Sequence, residues 1–263
     1  MRARAGRQGE RPDTPVVPSG SPVGGRSDLR IHRIFGVMGS SYLVETPEAL
    51  FLVDAGFKGH GRTVLRKIRA LGRSPEELRL VIITHGHLDH FGGLAELLEA
   101  HRIPVGAHPA HAEVIARGIR IISPGRTRWG RTYERVARRA MRRVRTSEVG
   151  PVLPLVDEQE LHDFGLPARV IYTPGHSDGC ISVLLDDNTA ITGDLVQGKR
   201  LPTRVPELPG MVLDVDRSYA SWRRILDAGA QRFLPGHSGP FDAEELVATM
   251  RRDGVALPAS RSL

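Results

Sequence analysis

A single cysteine, Cys180, stands in 263 residues. That scarcity excludes an internal disulfide framework and a zinc-finger cysteine cluster. No apolar run approaches the roughly 20 residues that cross a bilayer as a helix, so no transmembrane segment is expected. Residues 1–30 are rich in Arg, Pro, Gly and Ser and lack the apolar stretch of about 7–15 residues that marks a secretory signal. They read as a disordered basic tail. With neither a secretory signal nor a disulfide pair, the expected compartment is the cytoplasm. What remains is ordinary for a folded protein: 40% apolar and 25% charged residues, in a chain long enough for a sizeable core.

Charge is the exception. The chain carries 37 Lys+Arg against 30 Asp+Glu, net +7, which raises nucleic acid, an anionic membrane or an anionic substrate as partners. The surplus is unevenly placed. Residues 1–30 are net +3, residues 31–116 net zero and residues 146–263 net −6, whereas residues 117–145 hold eleven Arg and one acid, Glu134, for net +10. The protein is not uniformly basic.

From Ile31 onward short β-branched runs recur, bounded by Gly, Pro or charge. Residues 42–44, 50–53, 80–83, 103–107, 168–172, 181–185, 190–192 and 233–234 read as strands. Val64, Leu65, Ile68 and Leu71 keep helical spacing, as do Leu94, Leu97 and Leu98, and Trp222, Ile225 and Leu226. Asp242 followed by Glu245 opens a further helix through Met250 with a capping-box pattern. The expected organisation is a basic tail over 1–30, a domain over 31–250 with an Arg-rich helical insertion at 117–145, and a tail over 251–263. Two strand-rich halves with helices outside suggest an α/β protein of sheets covered by helices.

The most informative segment is Thr84-His85-Gly86-His87-Leu88-Asp89-His90. A strand runs into three His and one Asp within six residues, then into Gly92-Gly93 and a helix. If the strand stays extended to His87, then His85 and His87 point to one face, and the turn beyond swings Asp89 and His90 back. Imidazole nitrogen and carboxylate oxygen suit zinc and comparable first-row metals. With 11 His, chance supplies this pattern in only about one such chain in a thousand. Three further segments each place one metal-competent side chain just past a strand: His176 in Thr173-Pro174-Gly175-His176, Asp194 after Gly193, and His237 in Pro235-Gly236-His237. Sheet-based enzymes gather catalytic groups at such positions.

Asp54 in Val53-Asp54-Ala55-Gly56, the His85–His90 cluster, His176, Asp194 and His237, in that order, resemble the signature of the metallo-β-lactamase-fold hydrolases. The likeness runs from about Ile31 to Gly239, and the ligand set is like that of the glyoxalase II and lactonase members. It implies an αββα four-layer sandwich of two mixed sheets, with a metal site at one edge. Carried over by position, it implies that His85, His87 and His176 hold a first ion, that Asp89, His90 and His237 hold a second, that Asp194 bridges them, and that Asp54 braces the site from behind. The implied cofactors are two divalent ions, zinc first, with iron or manganese as alternatives. The implied reaction is hydrolysis of a small ester, thioester or lactone by a metal-activated hydroxide, with Asp89 as the catalytic side chain that orients the nucleophile or carries a proton.

Two departures narrow this. Members of the superfamily that use a Cys ligand have it where this chain has Asp194, which counts against a dedicated β-lactamase; Cys180 reads as a buried apolar side chain. Only 26 residues follow His237, too few for the helical domain of the glutathione-thioester hydrolases. The alternatives are a phosphodiesterase or nuclease with an Arg-rich collar, and a mononuclear-iron sulfur dioxygenase using His87, His176 and Asp194. His32, His60, His101, His108, His111 and His162 are not expected as ligands.

In the Arg-rich stretch, Trp129, Tyr133, Val136, Ala140 and Val144 form one apolar helical stripe. Arg131, Arg135, Arg138, Arg139, Arg142, Arg143 and Arg145 cover the rest. A solvated helix packed on the sandwich, a lid over the metals, a phosphate collar and a membrane-surface helix are the four readings, the lid being the preferred functional one. Nucleic acid is not favoured as a partner, since only Trp129 and Tyr133 offer stacking; a small-molecule substrate is expected, and a homo-oligomer stays open.

Overall fold

The computed structural model describes residues 29–141, 147–198 and 205–257, with the side chain of Met141 left out. Most of the tail read over 1–30, the positions Arg142, Arg143, Val144 and Arg145, and residues 258–263 lie outside the described residues.

The first half of the chain builds a six-stranded sheet in sequence order: β1 (Arg30–Phe35), β2 (Ser40–Glu45), β3 (Leu50–Val53), β4 (Leu78–Ile83), β5 (Val105–Ala107) and β6 (Leu153–Pro154). β1 to β3 form an antiparallel meander and β3 to β6 run parallel. The second half contributes β7 (Ala168–Tyr172), β8 (Ile181–Leu185), β9 (Thr189–Gly193), the small ribbon β10 (Gln197–Gly198) with β11 (Pro206–Glu207), then β12 (Arg232–Pro235) and β13 (Phe241–Asp242). Its five-stranded sheet has the order β13-β12-β9-β8-β7, with β9 and β12 parallel and the other neighbours antiparallel. Helices α1 (His60–Ala70), α2 (Leu88–Phe91), α3 (Leu94–Ala100) and α4 (Pro109–Ala116) belong to the first half. Helix α5 (Arg128–Met141) crosses between the halves, and α6 (Val215–Asp227) and α7 (Ala243–Arg252) follow.

Period-two alternation sorts each central strand into two layers. On β3, Leu50 and Leu52 join the cluster under α1 and α3, while Phe51 and Val53 join the cluster between the sheets. On β4, Val81 and Ile83 go to the helices and Leu80 and Ile82 go inward. On β8, Val183 faces the first sheet and Leu184 faces α6 and α7 with Trp222, Ile225 and Leu246. Strands buried on both faces are apolar at nearly every position, which is why they read as near-continuous runs rather than as alternation. Each such fully buried Leu, Ile or Phe contributes about 1.5–3 kcal/mol. Three apolar layers separate four layers of structure, so the chain forms the αββα sandwich.

Most expected strands and helices form where periodicity placed them, including α7 with its Asp242–Glu245 capping box. Strand β5 is shorter than the expected 103–107, because Pro104 has no N–H to give the ladder. The stripe on α5 is a larger difference. Among the described side chains of α5, Ala137, outside that stripe, is buried, whereas Trp129, Tyr133 and Val136 are exposed. The described part of the stripe is therefore not buried in the core of the sandwich.

Candidate metal centre

The strand ends of both sheets meet at one edge, and hydrogen bonds sew the sheets together there. Ile181 N–H donates to Thr84 O at 2.9 Å, Ser40 N–H to Gly236 O at 2.8 Å, and the Tyr42 hydroxyl to Pro235 O at 2.7 Å. The loops after β3, β4, β7, β9 and β12 consequently converge, and they carry Asp54, His85–His90, His176, Asp194 and His237.

Extended strand does not continue to His87: β4 ends at Ile83 and the chain bends through residues 84–86. His85 and His87 face each other by that bend, with ring centroids 4.6 Å apart. Asp89 and His90 return on the single turn of α2. Two groups result, His85, His87, His176 and Asp194 in one and Asp89, His90 and His237 in the other, with ligand-type atoms within 4.8 Å of one another inside each group. Asp194 lies between them. Its Oδ1 is 3.2 Å from Nε2 of both His90 and His237, and its Oδ2 is 3.6 Å from His176 Nε2. Asp89 Oδ2 is 3.3 Å from His237 Nε2 and 4.0 Å from His90 Nε2.

The backs of the rings are held. His90 Nδ1–H donates to Asp54 Oδ2 at 2.7 Å, His176 Nδ1–H to Met211 O at 2.7 Å, and His85 Nδ1 lies 3.1 Å from Thr84 Oγ1, which itself donates to Asp54. These bonds set the tautomer and turn each Nε2 to the centre. Asp54 takes this position with φ +62°, a left-handed conformation for a non-glycine residue, of the kind that concentrates at functional sites. Gly193, at φ +51°, brings β9 so near Thr84 that a Cβ would collide with Oγ1; no larger residue would deliver Asp194 there.

The centre fits a cation. His85 Nε2, His90 Nε2 and Asp194 Oδ1 are buried polar atoms without a hydrogen-bond partner, an arrangement costly unless something electrophilic sits among them. Electrostatics divides the two groups. Burial pushes His87 down to about 3 and lowers His85 and His176, leaving neutral imidazoles with free lone pairs. Asp194 beside it holds His237 up at about 10. Burial opposes charge on His90, yet Asp54 and Asp194 outweigh it and raise the imidazole well above its ordinary value. Burial likewise opposes charge on Asp194, and His237 and His90 overcome it, holding that carboxylate well below its usual range. The carboxylates thus favour positive charge in the second group, which a divalent ion would supply.

Other side chains complete the cage. Ser123, which no sequence pattern marks, puts both its N–H and its Oγ 3.2 Å from His87 Nε2, and its hydroxyl donates to His176 O at 2.6 Å. His111 accepts the Gly86 N–H at 3.0 Å, bracing the residue between two clustered histidines. His108 caps α4 and stacks on Tyr172, with centroids 4.4 Å apart. Cys180 is buried, 3.0 Å from Ser177 Oγ, just ahead of β8 rather than on it. Burial pushes its thiol up to about 12.

A cleft of about 580 Å³ opens over this cluster. His87, Asp89, His176, Asp194 and His237 form its floor, while Ile121, Ile122, Met38 and the α5 residues Trp129 and Tyr133 form walls and roof. No Arg or Lys among the described residues lines it. The α5 arginines sit on the helix's other faces, where Arg138 pairs with Glu134 at 2.9 Å and donates to Ile122 O at 3.2 Å. Helix α5 thus lines the cleft through Trp129, Gly130, Tyr133 and Ala137, and none of its described arginines does.

The sequence model of the metallo-beta-lactamase superfamily matches residues 34–237. The chain belongs to that superfamily. Among curated relatives it is 26% identical over 231 residues to the lactamase-like protein GME11357 of Pestalotiopsis microspora, covering 85% of this chain and 58% of that one. It is 24% identical over 269 residues to the atrochrysone carboxyl ACP thioesterase of Aspergillus fumigatus, covering 96% of this chain and 69% of that one. The chain thus spans about 60% of the length of the first curated relatives it matches. Among solved structures, TTHA1623 in a di-iron-bound form superposes with TM-score 0.58 at 25% identity, over 82% of this chain and 96% of that one. The chain carries a His/Asp cluster suited to divalent metals. No helix among the described residues is long and apolar enough to cross a membrane.

Proposed function

We propose that the chain is a binuclear metal-dependent hydrolase of a small ester, thioester or lactone. His85, His87 and His176 would hold one ion and Asp89, His90 and His237 the other, zinc being the first candidate. The observation that carries this reading is Asp194, whose two oxygens reach separate groups, Oδ1 toward His90 and His237 and Oδ2 toward His176. Bound there, divalent ions lower the pKa of water toward neutrality and polarise an acyl oxygen. A Cys-poor site open to a cleft differs from closed structural zinc sites. The superfamily relative that is a thioesterase and the neighbour with a di-iron centre support the reaction class and the paired site.

Within the chain, Asp54, Thr84, Ser123 and Met211 O hold the imidazoles in one orientation, so little reorganisation is needed during reaction. Asp89 is more exposed than His85, His87, His90 or His176, and it lines the cleft. It is the carboxylate placed to take a proton from the nucleophile and pass it to the leaving group. The absence of Arg and Lys from the cleft lining, among the described residues, weighs against the phosphodiesterase reading.

The test is metal content of purified protein together with turnover of lactone, thioester, β-lactam and bis-nitrophenyl phosphate substrates. Two equivalents of metal with acyl hydrolysis is the expected result. Oxygen consumption on a persulfide with one iron bound would replace the proposal by the dioxygenase, and phosphodiester cleavage alone would replace it by the nuclease. Asp89→Asn is expected to lower kcat by at least about a hundredfold, a general acid–base loss. Unchanged kcat in metal-replete protein would remove Asp89 from the chemistry.

A further inference from the structure

We infer that the flank of α5 carrying Trp129 and Tyr133 is an acyl-chain wall, so that the substrate carries an unhydrated apolar acyl group of several carbons. This rests on the hydrolase reading above and adds the chemical class of the acyl part.

Trp129 is 85% exposed, Val136 60% and Tyr133 48%, although all three lie on one stripe of an otherwise Arg-rich helix. Leaving such area in water forfeits the stabilisation that burial would give. The helix does not expose them for want of an alternative orientation. Its rotation is fixed by other contacts: Ala137 is buried, and Gly130 packs so closely that a Cβ would collide with Gly210 O. Glu134, the one acid of the stretch, accepts the Gly125 N–H at 2.8 Å from the helix flank. Held this way, α5 presents Trp129 and Tyr133 to the same cleft that Ile121, Ile122, Met38, His87 and Asp194 line. A cleft of about 580 Å³ falls within the range of pockets that enclose small molecules, and such pockets pair apolar walls with a few polar groups. Here the polar groups are the cluster itself. An acyl carbon over the cluster therefore has an apolar wall for its chain, and in the reaction water's oxygen bonds to that carbon as the C–S or C–O bond breaks. The carboxylic acid and the protonated thiol or alcohol leave.

The experiment uses metal-loaded full chain with acyl thioesters from acetyl to decanoyl. A rise in kcat/KM of at least about tenfold from acetyl to octanoyl is expected from burying the added methylenes. Trp129→Ala is expected to cut the octanoyl-to-acetyl ratio about tenfold, while Arg135→Gln on the outer face leaves that ratio unchanged. Because Trp129 is exposed, its loss is not expected to unfold the protein, which unchanged circular dichroism would verify. A flat chain-length profile in a protein that does hydrolyse, or a ratio indifferent to Trp129→Ala, overturns the inference and leaves the hydrolase reading standing. If nothing is hydrolysed, the hydrolase reading fails, and a binding arm decides the inference alone. Of the two tryptophans, Trp222 is fully buried, so an emission shift on adding 2-undecanone, a non-hydrolysable ketone, reports Trp129. A blue shift absent from Trp129→Phe supports the acyl wall, and no shift overturns it.

Discussion

The floor and the roof of one cleft are built by opposite means. On the floor, His85, His87, His90 and His176 are buried and each has its back nitrogen held by another group. On the roof, Trp129 and Tyr133 are 85% and 48% exposed, and the close backbone contact of Gly130 with Gly210 helps set the helix's direction. The contrast teaches where this molecule spends constraint. The imidazoles are held in orientation by hydrogen bonds, while the facing wall of the cleft is oriented but left uncovered. A floor of this kind suits one chemistry, and a roof of this kind can vary with substrate.

The comparison breaks most sharply at Asp194. Asp194→Ala removes the one carboxylate shared by both groups and is expected to abolish turnover, by about a thousandfold or more, with loss of bound metal. Near-native activity with full metal content would show that the groups do not act together. Asp54→Ala leaves every proposed ligand in place yet is expected to weaken metal binding by about 10–100-fold, as loss of a brace behind a histidine does; chelator competition measures it. Ser123→Ala belongs to the same class with a smaller effect, of about tenfold, because the backbone N–H of Ser123 still faces His87. Rescue by Ser123→Thr would tie the effect to the hydroxyl.

On the roof, Gly130→Val is expected to lift α5 from Gly210, reducing acyl-chain selectivity several-fold while metal content stays native. Parallel losses of metal and selectivity would show that roof and floor are coupled. The smallest effect is expected at Cys180, beneath the floor. Its thiol is pushed up to about 12 by burial, so thiolate, the reactive form, makes up only about one part in ten thousand at pH 8. Iodoacetamide is expected to leave it unmodified in folded protein at pH 8 and to modify it readily after unfolding. Rapid alkylation at pH 8 would mean that the floor opens far more often than its packing suggests.

The residue types of the centre were legible in sequence because metal-competent side chains stand just past apolar runs, next to Gly or Pro. That sheets are covered by helices was legible because strands buried on both faces read as nearly continuous apolar runs, β3 throughout and β4 and β8 apart from Arg79 and Ser182; the four-layer order came from the resemblance. The geometry of His85 and His87 was not, since alternation assumed a straight strand where the chain bends after Ile83. Ser123 carried no pattern at all. It reaches His87 across 36 residues and His176 across 53, and a lone serine in a loop becomes a brace only when distant segments close on it.

The same division holds for the basic stretch with which the charge count began. Sequence alone determined that residues 117–145 hold more positive charge than the whole chain's surplus and that Trp129, Tyr133 and Val136 share a helical stripe. It could not determine which side of the helix meets the protein, because a stripe's period says nothing about rotation. Tertiary structure decided that through Gly130 against Gly210, segments remote in the chain, together with Glu134 against Gly125. Among the described residues the arginines stay out of the cleft lining, which the two aromatic rings join.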